Sequence, residues 1–465
     1  MGKKTFLIFG IVCLLFLQYH GYGYAAELEV GDNKPFQTIT SAIASASDGD
    51  IIKVFPGLYK EKLELNKQII LQSVEKHKAI IEGDHKKHVI EIKSPDVVIK
   101  GFKIRASGHN FLNNDAAILV DQADHAQIVD NVMEDILFGV YIDSGNNTII
   151  TGNEIYGLKD KRLSERGNGI HFFNTNGNEV NGNVIKNVRD GMYFDHANET
   201  EVTNNKITDV RYGLHYMWSN DNTFRENYFS NNVSGAAIMF SKFISLEKNI
   251  FADNRGYRAF GMFFQTAEES IVEDNLFMRN SIGIYSDLSR GNIIRNNTVV
   301  QNDIGIEILG SNWDDEIYGN SFIDNLQHAS VNEMKIRDKW YKDGEGNFWS
   351  DYSGVDIEKD GIGDAEYHSG SAFEFLMYKY PHLRLFVESP TSKMLKAIDK
   401  MFPVIDRAEV IDPYPLKVEN NSASYVKNMK IYPSKVAGIM TFVISLMVTA
   451  IGITFITYLS KRFSH

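Results

Sequence analysis

From Asn131 onward the chain repeats one short pattern, an asparagine followed two positions later by an aliphatic or aromatic residue. It runs through Asn153-Glu-Ile155, Asn183-Val-Ile185, Asn205-Lys-Ile207, Asn227-Tyr-Phe229, Asn249-Ile-Phe251, Asn275-Leu-Phe277, Asn297-Thr-Val299 and Asn320-Ser-Phe322. Successive asparagines lie 22, 30, 22, 22, 22, 26, 22 and 23 residues apart. A glycine column (Gly139, Gly169, Gly191, Gly213, Gly235, Gly261, Gly283, Gly305) runs in phase with it. Self-similarity at a fixed short period marks a solenoid. After each glycine the residues alternate, as in Gly191-Met-Tyr-Phe and Gly305-Ile-Glu-Ile, which is strand periodicity. No ten-residue amphipathic helix fits between the markers, and the leucine-rich pattern is absent. The expected fold is all-β: a right-handed parallel β-helix with coils of about 22 residues, each carrying three short strands. The recurring asparagine is expected to take the left-handed αL conformation and to stack its amide on the next coil.

The apolar pattern before Asn131 predicts the start of the stack. Gln37–Ser47 reads as a short amphipathic helix with Ile39, Ala42, Ile43 and Ala46 on one side, suited to covering the open end of a solenoid. The domain expectation is a capped β-helix over 27–345, a post-solenoid segment with an acidic loop and helices over 346–416, and a linker over 417–435.

Both termini read as address signals. Lys3 and Lys4 precede the apolar run Phe6–Leu17, and Tyr24-Ala25-Ala26 offers a small-residue cleavage site. Residues 1–26 are therefore expected to be a signal peptide. At the other end, 436–460 carries no charge and is long enough to span a bilayer, with Lys461 and Arg462 after it. This predicts a C-terminal transmembrane helix, a cytoplasmic tail at 461–465, and a body on the periplasmic side. Cys13 is the only cysteine and lies in the leader, so a disulfide framework and a cysteine zinc site are excluded. A net charge of −12 argues against nucleic acid as a partner.

The two long repeats direct attention to one edge. Their extra residues fall between Asn153 and Gly169 and between Asn249 and Gly261, in a segment that spans eight residues in the other coils. Insertions on one edge of a solenoid often build its binding face. These contain Arg166 and Arg258, and Arg189 and Arg211 sit two positions before glycine on adjacent coils. Residues two and four beyond each glycine are expected to point outward. They form a stripe that includes His171, Tyr193, His215, Met217 and Met239. We read Arg166, His171, Tyr193, Arg211, His215 and Arg258 as a partner-binding surface. Exposed positions of this kind are expected to tolerate charge reversal. His215, Met217 and Met239 are candidate Cu(I) ligands, since imidazole and thioether suit that ion. The plain alternative is an aromatic ladder that serves packing. Further on, Asp356, Glu358, Asp360 and Asp364 close on Gly361 and Gly363 as a candidate calcium loop, although Tyr367 stands where an EF-hand needs glutamate. Solvated turn carboxylates are the competing reading there.

Six stretches resemble the NosD family of periplasmic maturation proteins for nitrous oxide reductase. They are Gly157-Leu-Lys-Asp-Lys-Arg-Leu-Ser-Glu-Arg-Gly-Asn-Gly-Ile-His171, Arg189-Asp-Gly-Met-Tyr-Phe-Asp195, Val210-Arg-Tyr-Gly-Leu-His-Tyr-Met-Trp-Ser-Asn220, Asn254-Arg-Gly-Tyr-Arg-Ala-Phe-Gly261, Gly346-Asn-Phe-Trp-Ser-Asp-Tyr352 and Ala408-Glu-Val-Ile-Asp-Pro-Tyr-Pro-Leu416. The resemblance implies a non-enzymatic role beside a membrane permease and a cytoplasmic ATPase of an ABC-type complex. It also implies a copper chaperone and the reductase as partners, with assembly of the copper–sulfur centre as the outcome. The competing class is a carbohydrate-active β-helix enzyme or a sugar-binding surface protein. Asp190, Asp195, His196 and Arg211 are the residues an enzyme would use.

Overall fold

The computed structural model describes residues 25–420 apart from 332–336, 371–372, 374–375, 378–379, 387–388 and 402–408. The expected signal peptide and the expected membrane span at 436–460 lie outside the described residues. Among the described residues no helix is long and apolar enough to cross a membrane.

Each complete coil contributes one strand to each of three parallel sheets, and the incomplete end coils add Glu27–Val30 and Phe348–Trp349. Sheet 1 has 13 strands and runs from Glu27–Val30 to Glu316–Tyr318. Sheet 2 also has 13 strands and runs from Gly57–Tyr59 to Phe348–Trp349. Sheet 3 has 12 strands and runs from Leu63–Leu65 to Gln327–Val331. Three corners join them in each coil. The helix Ile39–Ser45, capped by the Thr38 hydroxyl, closes the N-terminal end with Ile39, Ala42 and Ile43 buried. A helix at Pro390–Met401 follows the solenoid.

The interior is built from like residues stacked coil on coil. Phe229, Phe251 and Phe277 stack with ring centroids 5.1 and 5.0 Å apart. Each fully buried side chain of this size is worth about 1.5–3 kcal/mol, and each ring pair adds about 0.5–1.5 kcal/mol. The glycine column is steric. A Cβ on Gly191 would lie 2.6 Å from the Gly213 carbonyl oxygen and 2.5 Å from Ile207 Cγ2, so the side-chain-free backbone lets adjacent coils close up.

The asparagines behave half as expected. From Asn131 to Asn347 each Nδ2 donates to the Oδ1 of the next asparagine at 2.9–3.1 Å, forming a buried column at the corner between sheets 1 and 2. The αL conformation, however, belongs to the preceding residue, for example Asp130, Gly152, Asn204 and Glu226. The physical reason is division of labour: the αL residue turns the chain, and the asparagine points its amide inward to bond its neighbours.

The C-terminal end is also sealed. Asp412 Oδ2 accepts the Asn347 backbone N–H at 2.7 Å and the Trp349 indole N–H at 2.9 Å. Asp412 is wholly buried, and burial pushes its carboxyl above the usual range. Tyr367–His368 pairs antiparallel with Ile411–Asp412, and Trp349 stacks between Phe322 and Tyr367. The two family-like stretches thus meet as one cap through 346–352 and 409–416.

Candidate functional site

Both insertions expected from the repeat spacing project from the corner between sheets 2 and 3. The expansion after Glu154–Gly157 carries a short 3-10 turn at Leu163–Glu165, and the one after Ile250–Ala252 presents Tyr257, 94% exposed, next to Arg258. A third, between Lys103–Arg105 and Ala116–Asp121, escaped sequence reasoning. No asparagine or glycine marker precedes Asn131, so its register could not be counted. Arg258 stands exposed at its loop, with αL backbone. Arg166 is different: its guanidinium donates to the carbonyls of Lys159, Lys161 and Asn187 at 2.8–3.2 Å. That charge pins the loop to the next coil.

The outward stripe lies on sheet 3, beside this corner. His171 pairs in register with Tyr193, and Tyr193 with His215. Tyr141, His171, Tyr193 and His215 form a continuous ladder with centroids 4.4, 4.6 and 4.5 Å apart. The residues between them, Met192 and Phe194, are fully buried, as the alternation requires. The stripe is half-buried, however, because each ring covers its neighbours.

Beneath it lies the residue on which the site turns. Asp190 has no exposed side-chain surface. It accepts from Arg211 Nε at 2.8 Å and Nη2 at 2.6 Å, and from His215 Nδ1 at 2.9 Å. Burial alone would raise its pKa, but the bonds from His215 and Arg211 override this and hold it at about 2. This corrects the expectation that charge reversal at Arg211 is tolerated: its guanidinium neutralises a carboxylate sealed inside the solenoid wall. Sequence reasoning placed Asp190 in a possible sugar-cleaving set. Locked under the Arg211 guanidinium and the His215 imidazole, it is shielded from any substrate. Asp195 pairs with His196 at 2.6 Å on the outer surface.

His171 accepts from Asn168 Nδ2 at Nδ1, 3.0 Å away. Burial, and then the Arg189 charge, push its pKa down to about 3, so it is a neutral imidazole at any physiological pH. His215 has its Nδ1 proton on Asp190, which directs Nε2 away from the wall. Met217 and Met239 are register partners on adjacent strands, two residues further along the same face, and the Tyr193 hydroxyl donates to Met217 Sδ at 3.7 Å.

The acidic loop is organised by turn chemistry. Asp356 accepts from Lys359 N and Gly361 N, Asp360 from Ile362 N, and Asp364 from Ile357 N, at 2.6–3.0 Å. Among the described residues, Asp356, Glu358, Asp360 and Asp364 do not converge on a common point. Calcium finds no support there: the four carboxylates do not gather, and Asp356, Asp360 and Asp364 serve backbone amides of their own loop.

Comparison with known proteins accords with this arrangement. A family model described as periplasmic copper-binding protein (NosD) matches residues 154–354, and one for a right-handed beta helix region matches 90–217. The chain is 38% identical over 353 residues to a probable ABC transporter binding protein NosD of Stutzerimonas stutzeri, covering 73% of this chain and 80% of that one. A protein of the same description from Pseudomonas aeruginosa is 36% identical over 364 residues, covering 73% and 82%. Among solved structures, the Dettilon tailspike protein superposes with a TM-score of 0.50 at 14% identity, covering 63% of this chain and 64% of that one, which shows a common fold alone. With relatives at 36–38% identity that share 73% of this chain and at least 80% of their own length, the chain belongs to the NosD family.

Proposed function

We propose that this protein is the periplasmic component of an ABC-type complex and that it handles copper during assembly of the copper–sulfur centre of nitrous oxide reductase. Family membership supports the setting. The observation that carries the copper role is His215, whose Nδ1 is held by buried Asp190 on the face that bears the paired thioethers of Met217 and Met239. A carboxylate behind an imidazole is the usual support for a metal-binding histidine, since it fixes the tautomer and raises the basicity of the other nitrogen. Two thioethers and an imidazole are soft enough for Cu(I) in transit. The role is accessory and not catalytic. Its partners are a membrane permease with its ATPase, a copper chaperone and the reductase itself; the exposure of Tyr257 and Arg258 supports that loop as a contact.

Deleting the gene should leave the reductase exported but without its catalytic copper–sulfur centre. Replacing Met217 and Met239 together by alanine should weaken Cu(I) binding by about 10–100-fold and reproduce that deficit. A deletion strain whose reductase has full copper content and activity would remove the maturation role.

The same reading places the body in the periplasm, tethered by 436–460. A protease admitted to the periplasm should then digest the solenoid and spare a tag added after residue 465. A digested tag with a protected body would reverse that topology.

A further inference from the structure

The third loop expansion, missed in the sequence, brings together a second set of donors. His85, His109 and Asp135 come from three successive coils at the corner between sheets 2 and 3. Each offers one ligand atom, and these atoms all lie within 4.8 Å of one another. His85 Nδ1 is 4.0 Å from Asp135 Oδ2, and the two imidazole rings have centroids 5.9 Å apart.

The backbone holds all three in place. His85 N donates to Ala106 O, and Ala106 N donates to Asp135 O, both at 3.1 Å, so the three coils are tied beside the cluster. Asp135 sits at a register shift between Glu134 and Ile136, a bulge that re-aims its side chain out of the strand alternation. His109 lies between two anchored residues. Gly108 N donates to Lys87 O at 2.8 Å, and Asn110 N donates to the buried Asp115 Oδ2, also at 2.8 Å. A Cβ on Gly108 would lie 2.5 Å from Lys87 N, so the close approach that positions His109 depends on glycine. Three irregular backbone features thus converge on two imidazoles and one carboxylate.

We propose that His85, His109 and Asp135 bind a divalent first-row transition ion at the solenoid surface. Nitrogen and carboxylate ligands bind such ions at about 2.0–2.2 Å, which puts neighbouring ligand atoms of a tetrahedral site roughly 3.3 Å apart. Closing from 4.0–4.8 Å takes about 1 Å of movement, within reach of exposed side chains. The donor set is borderline, so it favours Cu²⁺ and Zn²⁺ over Mg²⁺ or Ca²⁺, with Cu²⁺ the tightest. Three protein ligands leave a fourth position open, as in sites that exchange a ligand and unlike closed structural sites. The cluster precedes residues 154–354, the span of the copper-binding family match. It has no thioether, and it stands independently of the Cu(I) reading at Met217 and Met239.

The test is metal titration of the purified full chain with Cu²⁺, Zn²⁺ and Co²⁺, following Co²⁺ visible absorption and competing with chromophoric chelators. The M217A/M239A variant should retain one equivalent of divalent binding. H85A, H109A and D135N should each lower its affinity by about 100-fold or more and abolish the Co²⁺ band, with the melting temperature of the metal-free protein unchanged. H125A, at the exposed His125–Asp96 pair on the corner between sheets 3 and 1, should bind as the parent does. Absence of stoichiometric binding in the parent, or parental affinity in the three variants, would overturn the assignment.

Discussion

Arg211→Glu destabilises the solenoid by about 3 kcal/mol or more. Asp190 is fully buried, and removing the partner of a buried charge typically costs about 3–5 kcal/mol, part of which Arg189 Nε at 3.5 Å and His215 Nδ1 at 2.9 Å would offset. The Arg211 side chain is 35% exposed, so water screens part of the pair and the lower end of that range applies. Glutamate also sets a like charge against the carboxylate. His215→Ala should cost less, about 1–3 kcal/mol, because one hydrogen bond to Asp190 is lost while the guanidinium remains. Urea unfolding followed by circular dichroism measures both, with Arg258→Glu as a control expected within about 0.5 kcal/mol of the parent. The Asp190 pKa lies below its unfolded value, so its contribution is complete above about pH 4. It is lost as pH falls through about 2. If Arg211→Glu melts with the parent, the buried ion pair is not what holds this wall.

Asp412→Ala opens the C-terminal cap. The substitution strips the acceptor from two buried donors, Asn347 N and Trp349 Nε1. Each orphaned donor costs about 1–3 kcal/mol, so the expected loss is about 2–6 kcal/mol. A solenoid contacts itself only coil to coil, so the damage should start at that end. Hydrogen exchange should show lost protection at Ser321–Ile323 and Phe348–Trp349, while Ile150 and Val180 keep theirs. Asp412→Asn keeps one carbonyl acceptor without a charge, and burial already disfavours the ionised form, so it should be markedly milder. Uniform loss of protection along the chain would contradict the capping role.

The solenoid was legible because its cause is periodic. Asparagine and glycine recur wherever a coil must bond or approach its neighbour, so counting residues recovers the register and the two insertions at 157–168 and 255–258. Inward and outward positions on sheet 3 followed from the same count. Burial did not. Asp190 looks like any turn carboxylate in one dimension. Only the stacking of one coil on the next brings Arg211 and His215 onto it, across 21 and 25 residues. Arg166 likewise reads as a surface cation until its loop folds back onto it. The αL position was displaced by one residue because a single conformational preference was asked to explain a two-residue corner. The His85, His109 and Asp135 set was invisible for another reason: upstream of Asn131 the coils lack the markers that would have aligned them.

The amide column also governs where this chain can change length. From Asn131 to Asn320 the corner between sheets 1 and 2 is held to two residues, as in Gly152-Asn153 and Lys248-Asn249. Outside that run the same corner varies: it is longer from Ile70–Ser73 to Ala79–Glu82, and longer again before the terminal Asn347, where Lys342 and Glu345 pair as a small hairpin. An in-frame insertion at an interior asparagine corner would disturb the rungs on both sides, whereas one beside Tyr257 or Leu163 leaves every rung of this column intact. Length variation among relatives should therefore gather on the corner between sheets 2 and 3, where recognition loops can diverge while the frame that displays them stays the same.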